Sequence, residues 1–237
     1  YVLNEPTYWV TEVATYTLVG MVFIGLAAAQ KSGSHIQVEL LLASLRPALR
    51  ARINLVTHWI GLLFVLLSAW QMILFNAQEY IHGTRDWGLL ATPQWIPQLP
   101  VSIGYLLFAL AILADIYRLK PPAGALARWL PPLLGLALVA LLAALGIQSP
   151  RIEGLRLDWG TAAILAALFA AMLAWSGWGT TLAVVAIYAV LGLLFWLARD
   201  VSLLAMGLLL VAAMLFLLLL GVRIALALGV VGMLGLF

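Results

Sequence analysis

Cysteine is absent from this chain of 237 residues. That excludes disulfides, thiolate catalysis and cysteine-held metal or iron–sulfur centres, and leaves the redox compartment undecided. Charge is nearly as scarce: Asp, Glu, Lys and Arg make up 9% of the chain, where soluble domains carry about 25%. With 65% apolar residues and a mean hydropathy of +1.12, a soluble domain could not cover its core, so the bilayer is the main solvent. The 12 Lys and Arg outnumber the 9 Asp and Glu, but they are scattered in ones and twos. A surface that tracks phosphates is not built that way, and nucleic acid is not expected as a partner. A leading Met and a charged leader are also lacking. Tyr1 reads as a start inside a longer polypeptide, with a first helix expected upstream.

Seven stretches reach the roughly 17 to 25 apolar residues that cross a bilayer: Val10 to Ala29, Leu55 to Ala77, Leu99 to Tyr117, Leu130 to Ile147, Trp159 to Trp175, Thr181 to Ala198 and Val201 to Val222. An eighth, Ile224 to Phe237, is expected to continue past the end of the sequence. These spans predict an all-α, polytopic transmembrane helical bundle. Two longer connectors, Gln30 to Asn54 and Gln78 to Gln98, carry most of the polar chemistry. From Trp159 onward the connectors are so short that successive helices must be antiparallel neighbours. If connectors alternate sides, Lys31, Arg46, Arg50, Arg52, Arg118, Lys120, Arg128 and Arg223 share one side, and Arg85, Arg151, Arg156 and Arg199 the other. Basic residues in short loops stay in the cytoplasm, which places Tyr1 outside.

Seven tryptophans, Trp9, Trp59, Trp129, Trp159, Trp175, Trp178 and Trp196, fall near span ends, as an interfacial belt requires. Ile36, Leu40, Leu41, Leu45 and Leu49 recur at helical spacing with Lys31, Glu39, Arg46 and Arg50 among them. An amphipathic helix lying on the cytoplasmic interface as a brace is the expectation. Ser34 is placed to cap it, and Pro47 either ends it or opens a second short helix. Gly229, Gly232 and Gly235 recur every three residues and permit close backbone approach, ordinary helix packing being the plain reading.

Polar groups within the spans are few and sit near the span ends. Glu12 lies one turn into the first span, His58 and Asp115 near cytoplasmic ends, and Glu79 and His82 beyond an outer end. An ionisable group deep in a bilayer costs about 2.5 to 3.5 kcal/mol on insertion scales, so end positions favour snorkelling or pairing. Glu12 reads as a structural hydrogen bond or ion pair, or as a functional contact. Asp115 with Arg118 reads as a local i,i+3 pair. His58 and His82 on one helix would be about 36 Å apart, too far to share a haem. Ser176 lacks the leading glycine of a serine-protease elbow and no histidine follows it. There is neither an HExxH pair nor a phosphate-cradling glycine loop. No catalytic residue, metal ligand or bound cofactor is assigned, and the chain reads as a scaffold for transport or assembly, not an enzyme. The rival reading is a non-transport anchor of a redox or other membrane enzyme complex, which would carry haem or quinone.

Tyr1-Val2-Leu3-Asn4-Glu5-Pro6, then Trp9 and Glu12, then Gly25 and Ala27 to Ala29, then Gly33-Ser34-His35-Ile36-Gln37-Val38-Glu39-Leu40-Leu41 resemble, in order and spacing, the small membrane subunit of tripartite ATP-independent periplasmic (TRAP) transporters. The resemblance covers Tyr1 to about Lys120. Leu217 to Gly229 is similar to the opening of the large subunit of the same transporters, with Arg223 where that family has proline. Together they imply a small-subunit (DctQ-like) region at 1–120, linking helices at 121–200, and the start of a large-subunit (DctM-like) permease at 201–237 on one polypeptide. Three spans between Lys120 and Val201 give the odd number that such a fusion needs.

The resemblance further implies sodium-driven uptake of a small organic anion, often a carboxylate, across the bacterial inner membrane. A periplasmic binding protein would deliver the substrate, a large permease subunit would hold the sodium and substrate ligands outside this stretch, and membrane lipids would surround the scaffold. Within it, Glu12 and the brace residues His35 and Glu39 are candidates for fixing the small part to the large. Arg85, Asp86, Trp87 and Trp95 in the outer loop are candidates for docking the binding protein, or else form an interfacial cover over the helix ends.

Overall fold

The computed structural model describes residues 9–32, 44–120, 124, 158–198 and 203–235. Seven helices account for nearly all of them: α1 Trp9–Ser32, α2 Pro47–His82, α3 Trp95–Leu119, α4 Trp159–Ser176, α5 Trp178–Ala198, α6 Leu203–Leu219 and α7 Ile224–Gly235. α1 to α5 are each long and apolar enough to cross a bilayer, while α6 and α7 are shorter apolar helices. The chain is an all-α, multi-pass membrane protein. The expected brace, with His35 and Glu39, and the expected span Leu130 to Ile147 lie outside the described residues, as do Trp129, Arg128, Arg151, Arg156 and Arg199.

α1 to α5 extend past the apolar spans on which they were expected, whereas α6 ends at Leu219, short of the expected Val222, because the chain turns at Leu220 and Gly221, the latter with φ 83°. α2 runs 36 residues, about 54 Å at 1.5 Å per residue, against a hydrocarbon core of about 30 Å. Pro47 opens this long helix and not a second short one. Proline at the first helical position gives up an N–H that has no intrahelical partner and brings its φ preset, and Arg46 before it holds an extended ψ of 142°. Hydropathy marks only the lipid-facing stretch, whereas Leu49, Arg50 and Arg52 continue the same helix into polar surroundings. α3 likewise starts at Trp95, with Pro97 and Pro100 in its first two turns.

α2 is the hub. α3 packs antiparallel to it, and α4, α5 and α7 pack against it as well. α1 meets α3, with which it runs parallel, and the 83–94 loop. One end of the bundle carries the 83–94 loop and is called the loop end. Lys31, Arg46, Arg50, Arg52, Arg118, Lys120 and Arg223 gather at the opposite, basic end, as the alternation of connectors expects. The two halves of the core meet on α2 through Trp59, Ile60, Leu62, Val65 and Trp70, each at most 2% exposed.

Trp59 and Trp175 are not belt residues: they are 1% and 5% exposed and meet edge to face with centroids 6.3 Å apart. A buried indole N–H needs an acceptor, and Trp59 Nε1 donates to Ser176 Oγ at 2.7 Å. Trp9, Trp159, Trp178 and Trp196 are more than half exposed. Ser176→Ala is expected to destabilise the fold by about 1 to 3 kcal/mol, because it strands a buried donor. Adding Trp59→His, which offers a different ring N–H, should not restore it, since the acceptor is what is missing. Thermal melting in detergent reads both, and an unchanged Ser176→Ala melt would remove the bond from the list of stabilising contacts.

Candidate functional site

The first polar junction is where α1 meets the loop. α1 presents Glu12, Tyr16, Gly20, Phe23 and Gln30 at spacings of four, four, three and seven, which is one helical face. That face lies on α3 and the loop. Leu18, Met21, Val22 and Ile24 point the other way and are 46 to 68% exposed. Near the middle the backbones come close: a Cβ on Gly20 would sit 3.3 Å from Pro100 Cβ, and one on Gly104 would sit 2.5 Å from the Phe23 carbonyl. Phe23 and Tyr105 rings meet beside it at 5.3 Å.

The loop is built to receive the top of this face. Gly83, with φ 63°, ends α2 in the left-handed region. Asp86 N–H donates to Thr92 O at 2.8 Å and Gln94 N–H to Thr84 O at 3.0 Å, folding the loop back on itself. The Glu12 carboxylate lies against Gly88, where any Cβ would collide with it, and accepts from the Leu90 N–H at 3.3 Å. Tyr16 OH donates to Asp86 Oδ2. Glu12 thus makes a structural hydrogen bond, and Asp86 is taken up by α1.

The docking candidates divide. Asp86 faces inward, and Trp95 meets Tyr80 edge to face at 5.6 Å over the α2–α3 seam. Arg85 donates to Ala91 O at 3.2 Å from an exposed position, and Trp87 is fully exposed.

At the basic end Gln30, 3% exposed, donates from Nε2 to Asp115 Oδ2 at 2.6 Å, closing the lower end of α1 on α3. Arg118 lies 3.7 Å from Asp115 Oδ1, the expected i,i+3 pair. Lys120 Nζ donates to Ser176 O at 3.0 Å, a cation against the C-terminal carbonyls of α4, where the helix dipole favours it. His58 Nδ1–H donates to Asn54 O at 2.6 Å, which leaves Nε2 to accept from Arg223 Nη2 at 3.5 Å. Burial lowers the Arg223 guanidinium from its ordinary value and Asp115 acts the other way; it stays a cation. His58 and His82 do occupy one continuous helix.

Asp158 is the residue that sequence reasoning missed. Its side chain caps α4 by accepting from Thr161 N–H at 3.1 Å and also takes the Trp70 Nε1–H at 2.8 Å. Asp before an apolar run with Thr three residues on is a cap signal, but the bond to Trp70, 88 positions away, has no local signature. Gly160 completes this contact, since a Cβ there would fall inside the Trp70 ring.

These groups hold helices together; among the described residues no three of His, Asp and Glu gather as metal ligands. The model of the family described as tripartite ATP-independent periplasmic transporters, DctQ component, matches residues 1–121. That is just over half of the chain and takes in α1, α2, the loop and α3. No curated protein and no solved structure matches. α1 to α3, clamped at both ends by polar bonds, form most of the matched region, and the chain belongs to the DctQ family of TRAP transporter membrane components.

Proposed function

We propose that the chain is the static scaffold of a sodium-driven secondary transporter that imports a small carboxylate-type anion. A periplasmic binding protein delivers the substrate, and the permease part continues on the same polypeptide from about Val201. The family match over residues 1–121 carries this reading, because that family works with a large permease and a binding protein. The likeness of Leu217 to Gly229 to the opening of a large subunit supports the fusion. Coupling ions and substrate bind outside this stretch, residue 1 faces the periplasm, and the membrane is the bacterial inner one.

Uptake of a panel of small carboxylates into proteoliposomes holding the full transporter, with its binding protein supplied outside, tests the reading. Accumulation that needs an inward sodium gradient is expected. Sodium-independent accumulation, or a haem or quinone spectrum with no accumulation, would overturn it.

Glu12, His35 and Glu39 fix the relation between the small and large parts in this scheme. Glu12→Ala is expected to lower complex yield or uptake by at least about threefold, from loss of one hydrogen bond to a charged group, and His35→Ala is expected to lower them as well. Unchanged yield and uptake would refute the role. At the loop, photo-cross-linkers placed at Arg85 and Trp87 are expected to capture the binding protein; capture from other surfaces only would leave the loop as an interfacial cover.

A further inference from the structure

α7 lies outside the family-matched residues yet packs along α2, which is central to them. Three contacts define how. Arg223 Nη2 meets His58 Nε2 at 3.5 Å. A Cβ on Gly61 would sit 2.6 Å from Leu226 Cδ1, and a Cβ on Gly229 would fall into the Phe64 ring. In each pair the partners are the same 165 positions apart. The two helices therefore run parallel, with one turn of α2 after another matched to one turn of α7.

The packing is reciprocal. α2 offers a hollow at Gly61 that Leu226 fills, and α7 offers a hollow at Gly229 that Phe64 fills. Leu226, Ala227 and Val230 are at most 2% exposed. Small residues that admit a neighbour's side chain are how helices associate in lipid, where hydrophobicity does not separate protein from solvent. Gly232 has nothing within 4 Å of its Cβ position, so Gly229 and not Gly232 forms the socket.

We propose that the His58–Gly61–Phe64 face of α2 is a recognition surface for the helical segment beginning at Arg223, with Arg223 fixing its register. A slide of α7 by one turn would bring side chains onto the hollows and carry the guanidinium away from His58 Nε2, its partner near the basic end. The surface holds α7 by shape and by one polar contact, and does so without help from the peptide chain that links them. Through it the DctQ-family part of the molecule anchors whatever α7 begins.

The test uses the whole chain in detergent and does not involve transport, so its failure is distinct from failure of the transporter reading. A protease site is inserted between Ala198 and Leu203 and cut after purification. The 203–237 fragment is expected to stay with the remainder, and to be lost at least about tenfold more in Gly61→Val and in Gly229→Leu. Gly61→Val combined with Leu226→Ala is expected to regain retention, because the deleted isobutyl group frees the volume that valine takes.

Register is read separately in this cysteine-free chain. Phe64→Cys with Gly229→Cys should cross-link on oxidation, and Phe64→Cys with Met233→Cys should not. Adding Arg223→Ala should lower the first yield. Four results would overturn the proposal: release of the fragment from the unsubstituted chain, retention in the glycine variants equal to that of the unsubstituted chain, no rescue by Leu226→Ala, or cross-linking that is indifferent to register.

Discussion

Gly104→Leu is expected to detach α1 from the molecule. A side chain at this position meets the carbonyl carbon and oxygen of Phe23 at 2.5 Å, and backbone atoms cannot rotate out of the way as a side-chain end can. Overpacking a core costs about 1 to 3 kcal/mol when neighbours can yield; here the helix itself must move, and a cost above about 3 kcal/mol is expected. α1 has little to resist with, since 6% of its apolar window is buried. As it moves, the Phe23–Tyr105 contact, the Gln30–Asp115 bond and the Glu12 contact with the loop fail together. A Phe23→Cys/Tyr105→Cys pair should cross-link in the unsubstituted chain and lose that cross-link in Gly104→Leu. Gly25→Leu is the control, for nothing lies within 4 Å of its Cβ position. If Gly104→Leu keeps the cross-link, α1 is held by something other than this backbone approach.

The second large effect is expected at Asp158. Replacing it with alanine removes a helix cap, worth about 1 kcal/mol, and strands the N–H of Trp70, itself 2% exposed, at about 1 to 3 kcal/mol more. The total, about 2 to 4 kcal/mol, is a sizeable share of the stability of an ordinary domain. Asp158→Asn keeps an acceptor oxygen and should lose less than half as much. The two parts can be separated by a double-mutant cycle: Trp70→Phe should cost less in the Asp158→Ala background than alone, because the donor it removes is already unpaired. Melting temperatures of the four proteins in one detergent decide it. Strict additivity would mean that the indole and the carboxylate do not depend on each other.

The sequence revealed the helices well and their partners poorly. Apolar runs located α1 to α7 because lipid demands them, and the basic residues ordered the ends because one sidedness rule acts on all of them. Helix limits were missed where polar surroundings permit a helix without requiring apolar residues, as at Pro47–Asn54 and Trp95–Gln98. Trp59 and Trp175 were misread as belt residues because a tryptophan near a span end has the same sequence pattern whether it faces lipid or a partner helix. Glu12 was legible as a polar group needing a partner, but its partner, the N–H of Leu90, is backbone and leaves no trace in residue type. Asp158 and Gly160 were passed over; Asp158 before an apolar run carries a cap signal, but that both residues serve Trp70 depends on α4 crossing α2 at that height, which no local pattern encodes.

The bonds made by α2 also set an order of events during synthesis. Trp70 finds its acceptor 88 positions further along and Trp59 finds its own 117 positions further along. At about 5 to 20 residues per second of translation, the newly inserted α2 waits roughly 5 to 25 s with two indole N–H groups unmatched. Over that interval α3 already covers part of it, while the faces meant for α4 and α7 stand open in the membrane. A translocation partner or a lipid headgroup that shelters this side for those seconds would govern how much of the chain matures, even though the finished molecule keeps no sign of it.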